Sequence, residues 1–245
     1  MRDIAEVDAP FAPLKSDEIV PRAAPLPVGE LVLPVPADTP PVPEGHRALG
    51  LPTARWYYRD DAGALLFVIS RFDNADGTKE FLPLTLWRDF PGLQWRWKSV
   101  PAPRPLYNLD KLAARPDAPV VVCEGEKSAD AVEGIFLKSV ATTSPGGANA
   151  ADKANWSKLR GRKVLIWPDD DVPGRAYALK VGATLTALDC DLSIIDAAAL
   201  ARTTPDGGSR EPTKVGWDAA DAIRSKSKST LKALVRRPSQ GIESS

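Results

Sequence analysis

The residues in this chain best suited to chemistry are acidic. Asp169, Asp170 and Asp171 follow the apolar run "VLIW" at once, in "VLIWPDDDVPGRA", and Glu124 follows a second apolar run in "VVVCEGEKSAD". Adjacent carboxylates repel one another unless something positive lies among them. In extended backbone, residues two apart project to the same side, so Asp169 and Asp171 face one place and Asp170 another. Oxygen ligands without histidine or cysteine suit a hard cation, Mg²⁺ or Mn²⁺, which keeps several waters and shares phosphate oxygens with a substrate. That is the equipment of phosphoryl transfer. Taken singly, each motif also reads as ordinary charge at a helix start.

Carboxylates this far apart in sequence meet only if neighbouring strands carry them. "PVVVC" (119–123), "KSVATT" (138–143), "KVLIW" (163–167) and "CDLSIIDAA" (190–198) read as strands, alternating with helices "KSADAVEGIFL", "NAADKANWSKLR" and "GRAYALKVGATLTALD". Continuous apolar strands separated by helices predict an α/β domain with a mostly parallel four-stranded sheet flanked by helices. Ligands of such sheets bind beyond the carboxyl ends of the strands, where Glu124 and the aspartates fall. Gly125 is expected to permit a tight turn after Glu124, Lys127 to open the helix, and Gly174 to release the chain into the helix after the aspartates.

Residues 46–115 alternate apolar and polar positions at period two, cut by "DDAG", "NADG" and "FPG", and predict a small β-rich subdomain of four or five strands. Ten of the 24 prolines lie in residues 1–44, which predicts a disordered Pro-rich arm over 1–45, either a tether or an unselected tail. The α/β domain spans 116–225, and 226–245 reads as a basic C-terminal helix and tail. Arg224 to Arg237 carries six basic residues and no acids.

Composition narrows the function classes. With 43% hydrophobic residues the chain supports a sizeable core, and 32 basic residues balance 32 acidic ones, so any nucleic-acid contact depends on local segregation of charge. His46 is the only histidine, and Cys123 and Cys190 form no CxxC pair, which argues against a zinc site and for reduced thiols in the cytoplasm. No apolar run is long enough to span a bilayer and the N-terminus is not a signal peptide, so a cytoplasmic protein with no membrane partner is expected. "SPGGAN" places Gly146 and Gly147 before a helix, where amides can hold phosphate, but no Gly-Lys-Ser/Thr follows, which excludes a P-loop.

"VVVCEGEKSADA" followed by "VLIWPDDDVPGRA" resembles the Toprim domain, with Glu124 and Gly125 matching its strand-end motif and Asp169, Asp171 and Gly174 its Asp-x-Asp-x-x-Gly motif. Within that superfamily the order of motifs is similar to the catalytic core of bacterial and phage-type DNA primases. The Gly174–Arg175 continuation fits that branch, as does "VGWDAADAI", where Asp218 is favoured over Asp221 as a further metal ligand. "LLFVISRF", "GTKEF" and "RPLYNLDKL" are similar to the subdomain ahead of Toprim, although Asn108 stands where glycine is usual. The resemblance implies that Glu124, Asp169 and Asp171 hold Mg²⁺ (or Mn²⁺), and that Arg71, Lys79 and Arg104, with Lys127 and Arg175, contact nucleic acid or nucleotide.

Trp87, Trp95 and Trp97 are interleaved with Arg96 and Lys98. Such rings either stack on bases or point into the core, leaving Arg96 and Lys98 to make the contact. The expected function is synthesis of RNA primers on a single-stranded DNA template from ribonucleoside triphosphates, for replication of a phage or plasmid-type mobile element, alongside a separate helicase. A Toprim nuclease or a noncatalytic DNA-binding factor is the alternative.

Overall fold

A computed structural model describes residues 29–89, 92–204, 208, 216–226 and 231. The proline-rich residues 1–28, and the expected basic C-terminal helix apart from Lys226 and Leu231, lie outside the described residues.

The first part of the chain forms a five-stranded antiparallel sheet: β1 (Glu30–Leu31), β2 (Ala54–Arg59), β3 (Leu65–Asp73), β4 (Lys79–Asp89) and β5 (Gly92–Trp97). The order is β1-β4-β3-β2, with β5 also pairing with β4. The hairpin turns form where the sequence puts them: Gly63 donates to the Asp60 carbonyl and Gly77 to that of Asn74, both at 3.0 Å. Trp56 pairs with Ile69, Tyr58 with Phe67, Ile69 with Pro83 and Arg71 with Phe81, so these residues share one face. The other face carries Val68, Phe72, Leu84 and Leu86.

Residues assigned from sequence to the disordered arm lie along the edge of this sheet and reach its second face, where Trp95 donates to the Pro40 carbonyl and Arg55 to the carbonyls of Pro43 and Glu44. β1 pairs with β4, Val32 donates to the Leu86 carbonyl and Val35 to that of Leu65, and Trp97 lies edge-on to His46 and Phe72. The expectation of an unstructured arm reaching residue 45 is therefore corrected for 29–45. β1 itself contains no proline; Pro34, Pro36, Pro40, Pro41 and Pro43 follow it in irregular backbone, where a missing amide donor is tolerated.

The rest of the chain contains α1 (Leu109–Ala114), β6 (Val120–Cys123), α2 (Glu126–Glu133), β7 (Val140–Thr142), β8 (Lys163–Trp167), α3 (Val172–Thr186), β9 (Asp191–Ile194), α4 (Ala197–Arg202) and α5 (Ala219–Ser225). Its four strands are all parallel in the order β7-β6-β8-β9. Two sequence expectations need correction. The helix expected from Asn149 onward is two 3-10 helices, Gly147–Lys153 and Trp156–Leu159. Ala154 is extended and the Asn155 side chain accepts from the Ser157 amide, which starts a second helix. The last strand also stops early, because Asp196 accepts from the Ala199 amide and caps α4.

Side chains of β6 alternate between two cores. Val120 and Val122 pack with Leu109, Tyr177 and Val181 beneath α1 and α3. Val121 and Cys123 pack with Val132, Trp217 and Ala222, and also with Trp56, Tyr58, Phe67 and Ile69 of the antiparallel sheet. The two sheets thus share a core. Polar bonds pin them together at α2, where the Tyr58 hydroxyl donates to Glu126 at 2.8 Å and Trp56 Nε1 and the Tyr107 hydroxyl donate to Asp130 at 2.8 and 2.9 Å. Among the described residues no helix is long and apolar enough to cross a membrane.

Candidate active site

Parallel pairing of β6 and β8 sets Cys123 opposite Trp167, so the chain leaves both strands at the same level. Glu124 follows one strand end, and Asp169 follows the other after Pro168. Burial, and then the Asp171 charge, pushes the Glu124 carboxyl up. Burial followed by the charges of Glu124, Asp218 and Asp171 pushes Asp169 up to about 7, against the pull of Lys127. Glu124 Oε2 and Asp169 Oδ1 are buried and lack any hydrogen-bond partner. Two buried, unpartnered, mutually repelling carboxylate oxygens are an arrangement a cation would relieve.

Asp171 lies near enough for its charge to raise both Glu124 and Asp169, and it has a second role. Its side chain caps α3, accepting from the Gly174 amide at 2.7 Å, and it does not line the cavity described below. Asp170 faces away, 3.7 Å from Arg175. Asp218 reaches the site because Asp170 bridges to Trp217 in antiparallel fashion, drawing 216–218 alongside the aspartate loop. It pairs with Lys127 at 2.8 Å and also caps α5 in a reciprocal box with Asp221. Among the described residues no three acidic, histidine or cysteine groups converge into a ready-made metal cage. Mg²⁺ is commonly held by one or two carboxylates plus substrate phosphates, so Glu124 and Asp169 fit such an ion.

The two glycines separate in role. Gly125 has extended backbone (φ −141°), and a Cβ there would meet nothing within 4 Å, so no tight turn requires it. Gly174 lies inside the first turn of α3, and a Cβ there would stand 2.9 Å from the Asp169 N and C atoms. The Asp-x-Asp-x-x-Gly spacing is thus a close approach of helix to loop. Asn108, buried with φ 58°, occupies a left-handed position that glycine would fill freely, and it donates to the Ala141 carbonyl at 2.9 Å.

A cavity of about 630 Å³ lies over Glu124, Gly125, Lys127, Asp169 and Asp218, and its opposite wall is the antiparallel sheet. Phe67, Ile69 and Arg71 of β3 and Lys79, Phe81 and Pro83 of β4 face it at period two. Arg104 lines it as well, beside Gly146 and Gly147, held by its Nε bond to the Val100 carbonyl. Anionic and cationic walls thus confront each other. Arg71 is paired with Asp73 at 2.7 Å.

Arg96 and Lys98 lie outside this cavity. Arg96 pairs with Thr85 across the sheet, which puts it on the same face as Phe81, but it forms an ion pair with Asp89 and both cations pack over the Trp87 ring. Trp95 donates to the Pro40 carbonyl at 2.8 Å, and Trp97 packs on Phe72, so neither ring faces the site. Arg175 is exposed on α3, also away from the cavity. Sequence reasoning missed Phe81 and Glu126. Glu126 is only 6% exposed, burial raises its carboxyl, and the bond from Tyr58 counters that. The one hint was a second glutamate two residues after Glu124.

No family model matches this chain, and no curated protein does. Solved structures similar to it are primase catalytic domains. A bacteriophage T7 primase domain, seen with a lagging-strand DNA polymerase and an RNA/DNA hybrid, is 17% identical over 58% of this chain and 65% of its own, with a TM-score of 0.40. The zinc-binding and RNA polymerase domains of Aquifex aeolicus primase are 14% identical over 80% of this chain and 43% of theirs, with a TM-score of 0.49. For the RNA polymerase domain of Mycobacterium tuberculosis primase the figures are 18%, 75%, 54% and 0.43. The chain therefore spans less than two thirds of the length of each.

Proposed function

We propose that this chain is a primase-like nucleotidyltransferase that makes RNA primers on single-stranded DNA with a divalent metal. One observation carries the reading: Glu124 and Asp169, each with a buried unpartnered oxygen, line a cavity whose opposite wall presents Arg71 and Lys79, with Arg104 lining it beside Gly146 and Gly147. A nucleoside triphosphate matches both walls, since its phosphates need cations on one side and a metal on the other. Glu124 and Asp169, with Asp218 and Asp171 beside them, would hold Mg²⁺ or Mn²⁺. Such an ion supplies, when bound, neutralisation of charge on the phosphate oxygens.

The chain's own groups do the rest. Arg104 and Lys79 bind and orient the triphosphate so that the 3′-oxygen of the growing primer can displace pyrophosphate from the α-phosphorus. Lys127, tied to Asp218, offsets part of the negative charge around Asp169. The order of motifs from Glu124 to Asp218, similar to primase cores, supports the same reading, and replication of a mobile element alongside a separate helicase is the setting that resemblance suggests.

The test is incubation with a single-stranded template, labelled ribonucleotides and Mg²⁺ or Mn²⁺. Primer ladders that disappear in Glu124→Gln and Asp169→Asn are expected. Shortened template, or binding without any product, would replace this reading with a nuclease or a noncatalytic DNA-binding factor respectively.

A further inference from the structure

We propose that the Phe81 ring is a stacking platform for an unpaired nucleobase, with Lys79 and Arg71 taking the adjoining phosphate. The inference rests on the nucleotide reading of the cavity. Phe81 stands within β4, yet it is 48% exposed and turned toward the cavity. Core packing does not account for its position, since Phe81 stands outside the buried cluster that Trp56, Tyr58, Phe67 and Ile69 form on this face.

The ring is braced from behind. It stacks on Trp56 with centroids 6.3 Å apart and planes 23° from parallel, and Trp56, 6% exposed, is anchored by its bond to Asp130. A rigid aromatic face loses little freedom when a flat ligand settles on it. Its surroundings specify what that ligand is. The Arg71 guanidinium lies 6.0 Å from the ring centroid and is oriented by Asp73, and Lys79 projects from the same face two residues before. Flat apolar surface flanked by cations is how bases are held with their phosphates, largely without regard to sequence. Other exposed apolar side chains, such as Leu137, Val172 and Leu179, do not line the cavity.

The base belongs either to a DNA strand or to a free nucleotide, and the experiment separates the two. Binding of the full chain is measured against oligothymidylate, an abasic strand of equal length, a ribonucleoside triphosphate and inorganic tripolyphosphate. Phe81→Ala should weaken oligothymidylate or the ribonucleotide at least about fivefold, the lower end of what losing one aromatic stack costs. Phe81→Trp should retain binding, and all three proteins should bind the abasic strand and tripolyphosphate alike at a temperature where each one's cooperative urea melt shows it fully folded. Equal losses on base-bearing and base-free ligands would overturn the proposal, as would Phe81→Ala binding like wild type or Phe81→Trp failing like Phe81→Ala. Wild-type protein that binds none of the four would overturn the nucleotide reading itself, a result distinct from those.

Discussion

Replacing Asp169 by Asn should make the metal-free protein more stable, although it removes a residue central to the site. The carboxyl is pushed from its ordinary 3.8 to about 7, chiefly by burial and then by Glu124, Asp218 and Asp171. A carboxylate whose folded value is raised stabilises nothing in its charged form. Below pH 3.8 it is neutral in both folded and unfolded chains, and the penalty then grows by about 1.4 kcal/mol per pH unit as pH rises toward 7. Above that it is fully present, with an upper bound of about 4 kcal/mol that relaxation and partial hydration lower. Urea melts in EDTA, chosen because guanidinium would screen the charges, should show Asp169→Asn more stable than wild type at pH 8, with the gap shrinking steadily to pH 5. Adding Mn²⁺ should stabilise wild type and leave the variant nearly unmoved. A variant less stable than wild type at pH 8 without metal, or one stabilised equally by Mn²⁺, would refute the idea that the fold makes a charged Asp169 costly until a cation relieves it.

Gly174→Ala should cost more than the roughly 1–3 kcal/mol of ordinary overpacking, because the new methyl meets the Asp169 backbone rather than a movable side chain, and a urea melt would show it. Tyr58→Phe strips the hydroxyl donor from the buried Glu126 carboxylate and should cost about 1–3 kcal/mol at neutral pH, less in acid as Glu126 takes up a proton. Lys79→Ala should raise KM for ribonucleotides in the primer assay, whereas the Arg96→Ala/Lys98→Ala double variant, altered outside the cavity, should leave that KM unchanged.

What the sequence displayed well was whatever depends on neighbours along the chain. The apolar runs of β6 and β8, ended by Glu124 and by Asp169 to Asp171, announce parallel strands with acids at their tips, and the hairpin turns at Gly63 and Gly77 are equally local. Contacts from afar were hidden. Nothing in "LVLPVP" says that these residues will lie against β4, and only the fold reveals that Asp171 is occupied with the Gly174 amide. Ala-rich helical spacing concealed the break at Asn155, which one side-chain bond decides. Phe81 looks like any other apolar residue in an alternating strand, and its exposure follows from where the second sheet stops covering the first.

The cavity draws its negative wall from one sheet and most of its positive wall from the other, and the Tyr58–Glu126 and Trp56–Asp130 bonds join the two beneath it. A ligand held between them, as proposed above, would act as mortar as well as cargo. Because the two sheets share a core, calorimetry should give one melting peak with or without ligand, shifted to higher temperature in the loaded protein. Damage at this buried joint should surface first as weakened binding of the proposed triphosphate.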